Sequence, residues 1–293
     1  KNINALGKNN PLYKTSPQSE LISAYMFTTS LPLIKDTEIV TNTLEPKISF
    51  RFSPHDMKNN RNTNRRMDVN NIFNMNRLGL GNSFEGGQSI TLGLDFKKER
   101  EILKIKKNDS KNAIVEIENY LDFKLATVFR FNEEENIPTS STLNKKNSNI
   151  FGEFDYKPTQ NVSLNYDFSL TDDLNTFEYN SVGAKLNFDK FYTEFDFLEE
   201  RGVIGRQNVI ANSTGYNFND ENSLSFSTRK NRSINLTEYY NLLYQYKNDC
   251  LIAGVQFRKK YYQNRDIKPL EELFFSITIV PFTTFSPDRM ILQ

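Results

Sequence analysis

The sequence predicts an all-β protein, an antiparallel up-and-down transmembrane β-barrel, on three observations. The first is strict alternation over strand-length windows: Val162, Leu164, Tyr166, Phe168 and Leu170 interleave with Ser163, Asn165, Asp167 and Ser169. The second is composition. Hydrophobic residues make up 37% and mean hydropathy is −0.61, yet 24 Phe and 14 Tyr bring the aromatic share to 13%. A chain that is polar on average but aromatic in alternation suits a barrel, where every second residue meets lipid. The third is that connections alternate short and long, as in a meander with tight turns on one rim and loops on the other.

Taken in order, residues 1–17 are polar, hold two prolines and read as loop. Thirteen strands are expected near 19–30, 38–53, 87–100, 114–131, 149–157, 161–171, 175–188, 190–200, 207–218, 222–230, 237–247, 250–261 and 270–282, each bounded by turn residues. In the second, Ile48, Phe50 and Phe52 oppose Lys47, Ser49 and Arg51; in the third, Ile90, Leu92, Leu94 and Phe96 oppose Ser89, Thr91, Gly93 and Asp95. Val182, Ala184, Leu186 and Phe188 follow the same rule, as do Phe191, Phe195 and Phe197. The opposite face carries Asp167, Lys185, Glu194 and Asp196, charges that would hydrate a lumen.

Short connections fall at LPLIKD, near 101–113, at KPTQ, at Asp189-Lys190, at NDEN and at Lys247 to Asp249; the others are 54–86, 132–148, 171–174, 201–206, 231–236 and 262–269. With the short turns periplasmic, the chain would end in the periplasm, residues 283–293 forming a tail. Single-chain bacterial barrels close with even numbers, so thirteen strands point to one domain over 1–293 that is the C-terminal portion of a larger barrel. No signal peptide opens the chain at Lys1, and an export signal is expected upstream or removed.

Charge and chemistry narrow the function. With 37 basic and 36 acidic side chains, nothing in the whole-chain balance argues for nucleic acid. A single histidine, His55 at a loop start, leaves no His-rich metal site, argues against a hydrolytic triad and reads as solvated; no cofactor is expected. Acid pairs Asp172-Asp173 and Glu133 to Glu135 read as solvated loops or as cation bridges to lipid phosphates. The cluster Lys58, Arg61, Arg65, Arg66 and Arg77 in the longest loop reads either as solvated or as a contact for anionic headgroups. Pro281 has no N–H for a ladder and marks strand termination or a weakened seam. Cys250, the one cysteine, is a small interfacial hydrophobe or the half of a bridge to a residue elsewhere.

Three stretches carry a resemblance. TNTLEP, with Leu44, Glu45 and Pro46, is similar to a T-x-x-LEP sequence that begins a barrel strand in the LptD family of lipopolysaccharide-assembly proteins. NIFNMNRLGLGNSFEGG resembles that family's N-L-F-x-x-N-R-F-S-G-x-D-R-x-E-G-G loop, with Asn71, Phe73, Asn76, Arg77, Glu85, Gly86 and Gly87 matching and Gly79, Leu80, Asn82 and Ser83 departing. The run 244–261, with Cys250 at its turn, is similar to the family's penultimate hairpin, and LEELFFSITIVPF to its closing strand.

The resemblance implies a non-enzymatic translocon of the outer membrane that inserts lipopolysaccharide into the outer leaflet, in contact with outer-membrane lipid. It further implies that the long loop over 54–86 folds toward the lumen and meets an LptE-like lipoprotein plug there, a bridge from Cys250 to a missing N-terminal part, and connection through that part to a periplasmic Lpt bridge. A passive porin or ligand-gated receptor barrel is the other class that this composition fits.

Overall fold

The computed structural model describes residues 2–3, 19–20, 22–81, 83–105, 113–264, 266–279, 283–285 and 290–292. Eighteen strands run in chain order: β1 (Asn2–Ile3), β2 (Ser19–Glu20), β3 (Tyr25–Ser30), β4 (Leu33–Asp36), β5 (Val40–Ser53), β6 (Gly87–Ile105), β7 (Ala113–Arg130), β8 (Ile150–Thr159) and β9 (Val162–Leu170). Then come β10 (Phe177–Phe188), β11 (Phe191–Glu200), β12 (Asn208–Asn217), β13 (Asn222–Asn231), β14 (Leu236–Lys247), β15 (Leu251–Lys260), β16 (Leu270–Ile279), β17 (Thr283–Phe285) and β18 (Met290–Leu292). Among the described residues no α-helix occurs, and a short 3-10 turn covers Thr139–Ser141.

One antiparallel sheet contains all but β1 and β2, which pair with each other. Its path runs β3, β5, then every strand in sequence to β17, fourteen in all, with β4 also on β5 and β18 also on β16. This is the meander that the alternation predicted. Among the described residues no ladder joins β3 to β17 or β18, and the sheet is open there.

The ends differ from expectation in instructive ways. The first expected strand is divided into β2 and β3, and LPLIKD, expected as a turn, contains β4. Both β3 and β4 lie on β5: Ser30 pairs with Lys47 and Leu33 with Leu44, so the partner strand breaks opposite Pro46. Proline cannot donate to a ladder, and the break falls where its N–H would be needed; its carbonyl still accepts from Leu31 N at 3.1 Å. TNTLEP therefore lies inside β5, which keeps its register with β6 through Pro46, opposite Leu94. The connection expected near 101–113 is shorter, because β6 and β7 keep pairing out to Ile105 and Ala113. Arg100 holds this extension, donating to Glu118 at 2.8 Å and to the Pro158 carbonyl at 3.1 Å.

At the other end β17 and β18 turn back along β16, Thr283 opposite Ile279 and Leu292 opposite Glu271. Together they act as a fourteenth strand, so odd parity no longer argues for missing strands. They also return the chain toward the rim that holds the 261–269 loop. Pro281 lies outside the described residues, as does Asn82, and so does most of the loop expected over 1–17.

Register sorts the side chains. Lys185 faces Glu194, Gly183 faces Asp196 and Asp167 faces Ser181 on one face, while Ala184–Phe195 and Val182–Phe197 lie on the other. Exposed Phe50, Phe129, Phe195, Phe226, Tyr240, Tyr244 and Phe275 continue the second face around the sheet. That face is the lipid-facing one, and the charged face is luminal.

Candidate functional site

The luminal face of β5 to β8 is covered. The 54–86 segment folds inward over it, and 131–149 folds beside it. Period-2 alternation supplies the floor: Ala126, Val128 and Phe151 point inward from β7 and β8 and pack with Met57, Met67, Ile72, Leu78 and Leu80 of the first loop and Ile137 and Leu143 of the second. Apart from the valine on β12 and the tyrosine on β10, this is where the fully buried apolar residues of the strands concentrate. The two loops are fastened to each other by backbone and side chain. Asn60 N donates to Asn136 O at 2.9 Å, Thr139 N to Arg61 O at 3.2 Å, and Arg65 N to Ser140 Oγ at 2.9 Å.

Beneath the first loop lies a buried ion cluster. Arg77 grips Glu85 through two parallel bonds, Nε to Oε2 at 2.8 Å and Nη2 to Oε1 at 2.6 Å, and donates further to Thr91 Oγ1 and Ser89 Oγ at 3.0 Å. Arg130 from the end of β7 reaches the same Oε1 at 2.6 Å and the Gly86 carbonyl at 2.6 Å. Arg51 from the end of β5 stands 3.6 Å from it. Desolvation alone would push the Glu85 carboxyl up; the guanidinium of Arg77, then those of Arg51 and Arg130, overcome it and hold the carboxyl down at about 2. Forked guanidiniums suit such a shared carboxylate because their donors are coplanar and fixed.

The residues that matched the family loop fall into this construction with distinct roles. Asn71 bonds Asp68 in both directions, its Oδ1 accepting from Asp68 N and its amide donating to Asp68 Oδ2. Phe73 lies over Gly93 of β6, where a Cβ would meet its ring at 2.5 Å. The Asn76 carbonyl accepts from Gly79 N, closing a turn over 76–79 that contains buried Arg77. Gly86 has the His55 carbonyl 2.7 Å from where a Cβ would be, and Gly87 takes φ +85° beneath the Arg130 guanidinium. Ser83, one of the departing positions, accepts from Lys58 N at 3.0 Å.

Two expectations for this loop need correction. Arg77 does not belong with the solvated basic cluster: it is 5% exposed and fully engaged, whereas Arg61 and Arg65 are exposed and Arg66 lies 4.0 Å over the Tyr179 ring and 3.7 Å from Glu200. His55 is not merely solvated. Its Nδ1 lies 2.8 Å from Ser53 Oγ and its Nε2 3.3 Å from the Phe84 carbonyl, so it ties the loop's first residues to its last. Ser53 is 1% exposed and donates to the Ser23 carbonyl, an arrangement without an accessible nucleophile.

Elsewhere the luminal charges pair across strands: Lys47 with Asp95, Lys124 with Glu153 and Lys185 with Glu194, each at 2.6 Å. Asp173 accepts from Asn175 N and its amide and from Thr171, so it shapes its own loop, and those bonds hold its carboxyl below the usual range. Glu134 likewise accepts from Asn136 N at 3.1 Å. Among the described residues no group of His, Cys, Asp and Glu is arranged to hold a metal ion. Cys250 is exposed and free at the β14–β15 turn, on the rim opposite the luminal loops, its N–H donating to Asn248 Oδ1 at 3.0 Å. Sequence reasoning found Arg77 and Glu85 but missed Arg51 and Arg130, which come from strands; the only signal for Arg51 was its place on the luminal side of the Lys47, Ser49, Arg51 alternation.

Comparison with protein families matches residues 4–220 to LptD, described as LPS transport system D. The 244–261 run and Cys250 lie beyond that match. Comparison with curated proteins finds no match. Among solved structures, a mutant porin of Rh. blastica is similar over 91% of this chain and 93% of its own, at 9% identity and a TM-score of 0.37. Acinetobacter baumannii OccAB4 is similar over 97% of this chain and 92% of its own, at 12% identity and a TM-score of 0.27.

Proposed function

The chain belongs to the LptD family of LPS transport proteins, and on that footing we propose that it forms part of the outer-membrane translocon that inserts lipopolysaccharide into the outer leaflet. The family match carries this reading. The saccharide portion would cross the charged lumen, past the paired residues Lys185, Glu194 and Asp196, while the acyl chains leave along the seam between β3 and β17. That division follows from solvation: sugars and phosphates stay hydrated, whereas acyl chains gain about 0.8 kcal/mol per CH₂ once out of water. With the long loops outside, the turn at Cys250 is periplasmic and β18 brings the chain back toward the outer rim.

Partners follow from the same reading. An LptE-like plug would meet the two inward-folded loops, and Cys250, exposed on the periplasmic rim, would bridge to a cysteine in the part of the protein that contacts the periplasmic Lpt bridge. The test of the transport reading is depletion of the full-length protein in cells. Loss of newly made lipopolysaccharide from the surface is expected, and an unchanged surface content would overturn it in favour of a passive porin.

A further inference from the structure

Arg51 is the incomplete member of the buried cluster. Its side chain is 3% exposed, and its Nε donates to the Met75 carbonyl at 3.3 Å, but neither Nη1 nor Nη2 has a hydrogen-bond partner. Buried guanidinium donors are almost always bonded, because desolvating them without a partner is costly. The charges are unbalanced as well: Arg51, Arg77 and Arg130 share one carboxylate, Glu85, which leaves +3 − 1 = +2 among side chains 1–3% exposed. Glu85 accepts three bonds from Arg77 and Arg130, which leaves it only an ion-pair contact of 3.6 Å with Arg51 Nη1, and among the described residues it is the one acid acting on Arg51. Glu134, the next acid, acts on Arg130 instead.

We propose that the Nη1–Nη2 edge of Arg51 binds a phosphate-type oxyanion beneath the luminal loop. The Met75 carbonyl and the Phe84 ring, 5.0 Å from the guanidinium carbon, fix the plane of the fork, so the two unpartnered donors lie side by side. Two oxygens of one phosphate match that spacing, which a halide cannot do. Met75 and Phe84 also line a cavity of about 380 Å³ with Ile22, Ala24, Leu80 and Ser83. Arg51 does not line this cavity itself and is separated from it by Met75 and Phe84, so the oxyanion can be inorganic phosphate or the headgroup of an amphiphile whose remainder occupies the neighbouring cavity.

The experiment uses the full-length protein in detergent with two probes, inorganic phosphate and lysophosphatidic acid, against chloride at matched ionic strength. Saturable binding, read by phosphorus relaxation, is expected for the wild type and about tenfold weaker or more for Arg51→Gln, the loss of a charge-assisted pair. Displacement of phosphate by lysophosphatidic acid at far lower concentration identifies a lipid phosphate; saturation by phosphate alone identifies the free ion. Absence of saturable binding of both probes to the wild type, or equal binding by Arg51→Gln, overturns the site. If Arg51→Gln does not fold, Arg51→Lys, which keeps the charge and loses the fork, takes its place, and the wild-type titration stands regardless. The assay contains no transport step, so this site and the lipopolysaccharide reading can fail separately.

Discussion

Glu85 sets the electrostatics of the covered lumen. Removing it by Glu85→Gln strands three buried guanidiniums, and breaking a buried pair costs about 3–5 kcal/mol. The expected result is faster proteolysis at exposed Arg61 and Arg65, read by timed trypsin digestion of the folded protein. The pH dependence follows the same carboxylate. Its folded value is depressed from 4.5 to about 2, so the stability it contributes is present above 4.5 and lost as pH falls through about 2. Protection of the loop should hold at pH 5 and decline between about 4.5 and 2; decline already near pH 6 would assign the effect to another group. Gly87 makes a separate demand: at φ +85° a side chain is strained, and a Cβ would lie 2.8 Å from Arg130 Nη2. Gly87→Ala should cost about 1–2 kcal/mol and loosen Arg130, measurable as a lower temperature for loss of the compact band on a gel.

Loops and strands were legible to different degrees. The strands showed plainly because alternation is a local property, and residues 162–170 state their register without help. The break between β3 and β4 was not legible, since LIKD has no alternation and its position depends on Pro46 more than ten residues away. The inward fold of 54–86 was legible only through the family resemblance: by composition Asn, Arg and Gly suggest a solvated loop, and only the spaced Met57, Met67, Ile72, Leu78 and Leu80 mark a face that needs a floor. The ion cluster draws on residues 51, 77, 85 and 130, a separation that no motif spacing records. Leu143 and Ile72 are 0% and 1% exposed in this loop core. Leu143→Ala should cost about 2–5 kcal/mol and open both loops together, seen as simultaneous protease cleavage near 61–66 and 132–136. Cleavage of only one loop would show that they are not coupled. The Cys250 turn is checked by a non-reducing gel of the full-length protein, where the bridge predicts a mobility difference between wild type and Cys250→Ser.

The molecule as a whole is a strand path around a partly filled lumen. Deleting the inward segment 57–83 is expected to raise single-channel conductance several-fold in planar bilayers, because that segment lies over the luminal face from β5 to the β11 residue Glu200. Unchanged conductance would mean that the constriction is elsewhere.

The cross-fastening of the two loops also dictates an order of events. Arg65 and Ser140 are 75 residues apart in sequence, Arg61 and Thr139 78, and contacts of such separation form late because the intervening chain must first be placed. Here the intervening chain is β6 and β7, which must be threaded into the bilayer and paired before either loop has a surface to settle on. Covering of the luminal face is therefore a consequence of completing this part of the wall, and the loops become one unit only after the strands that separate them have paired.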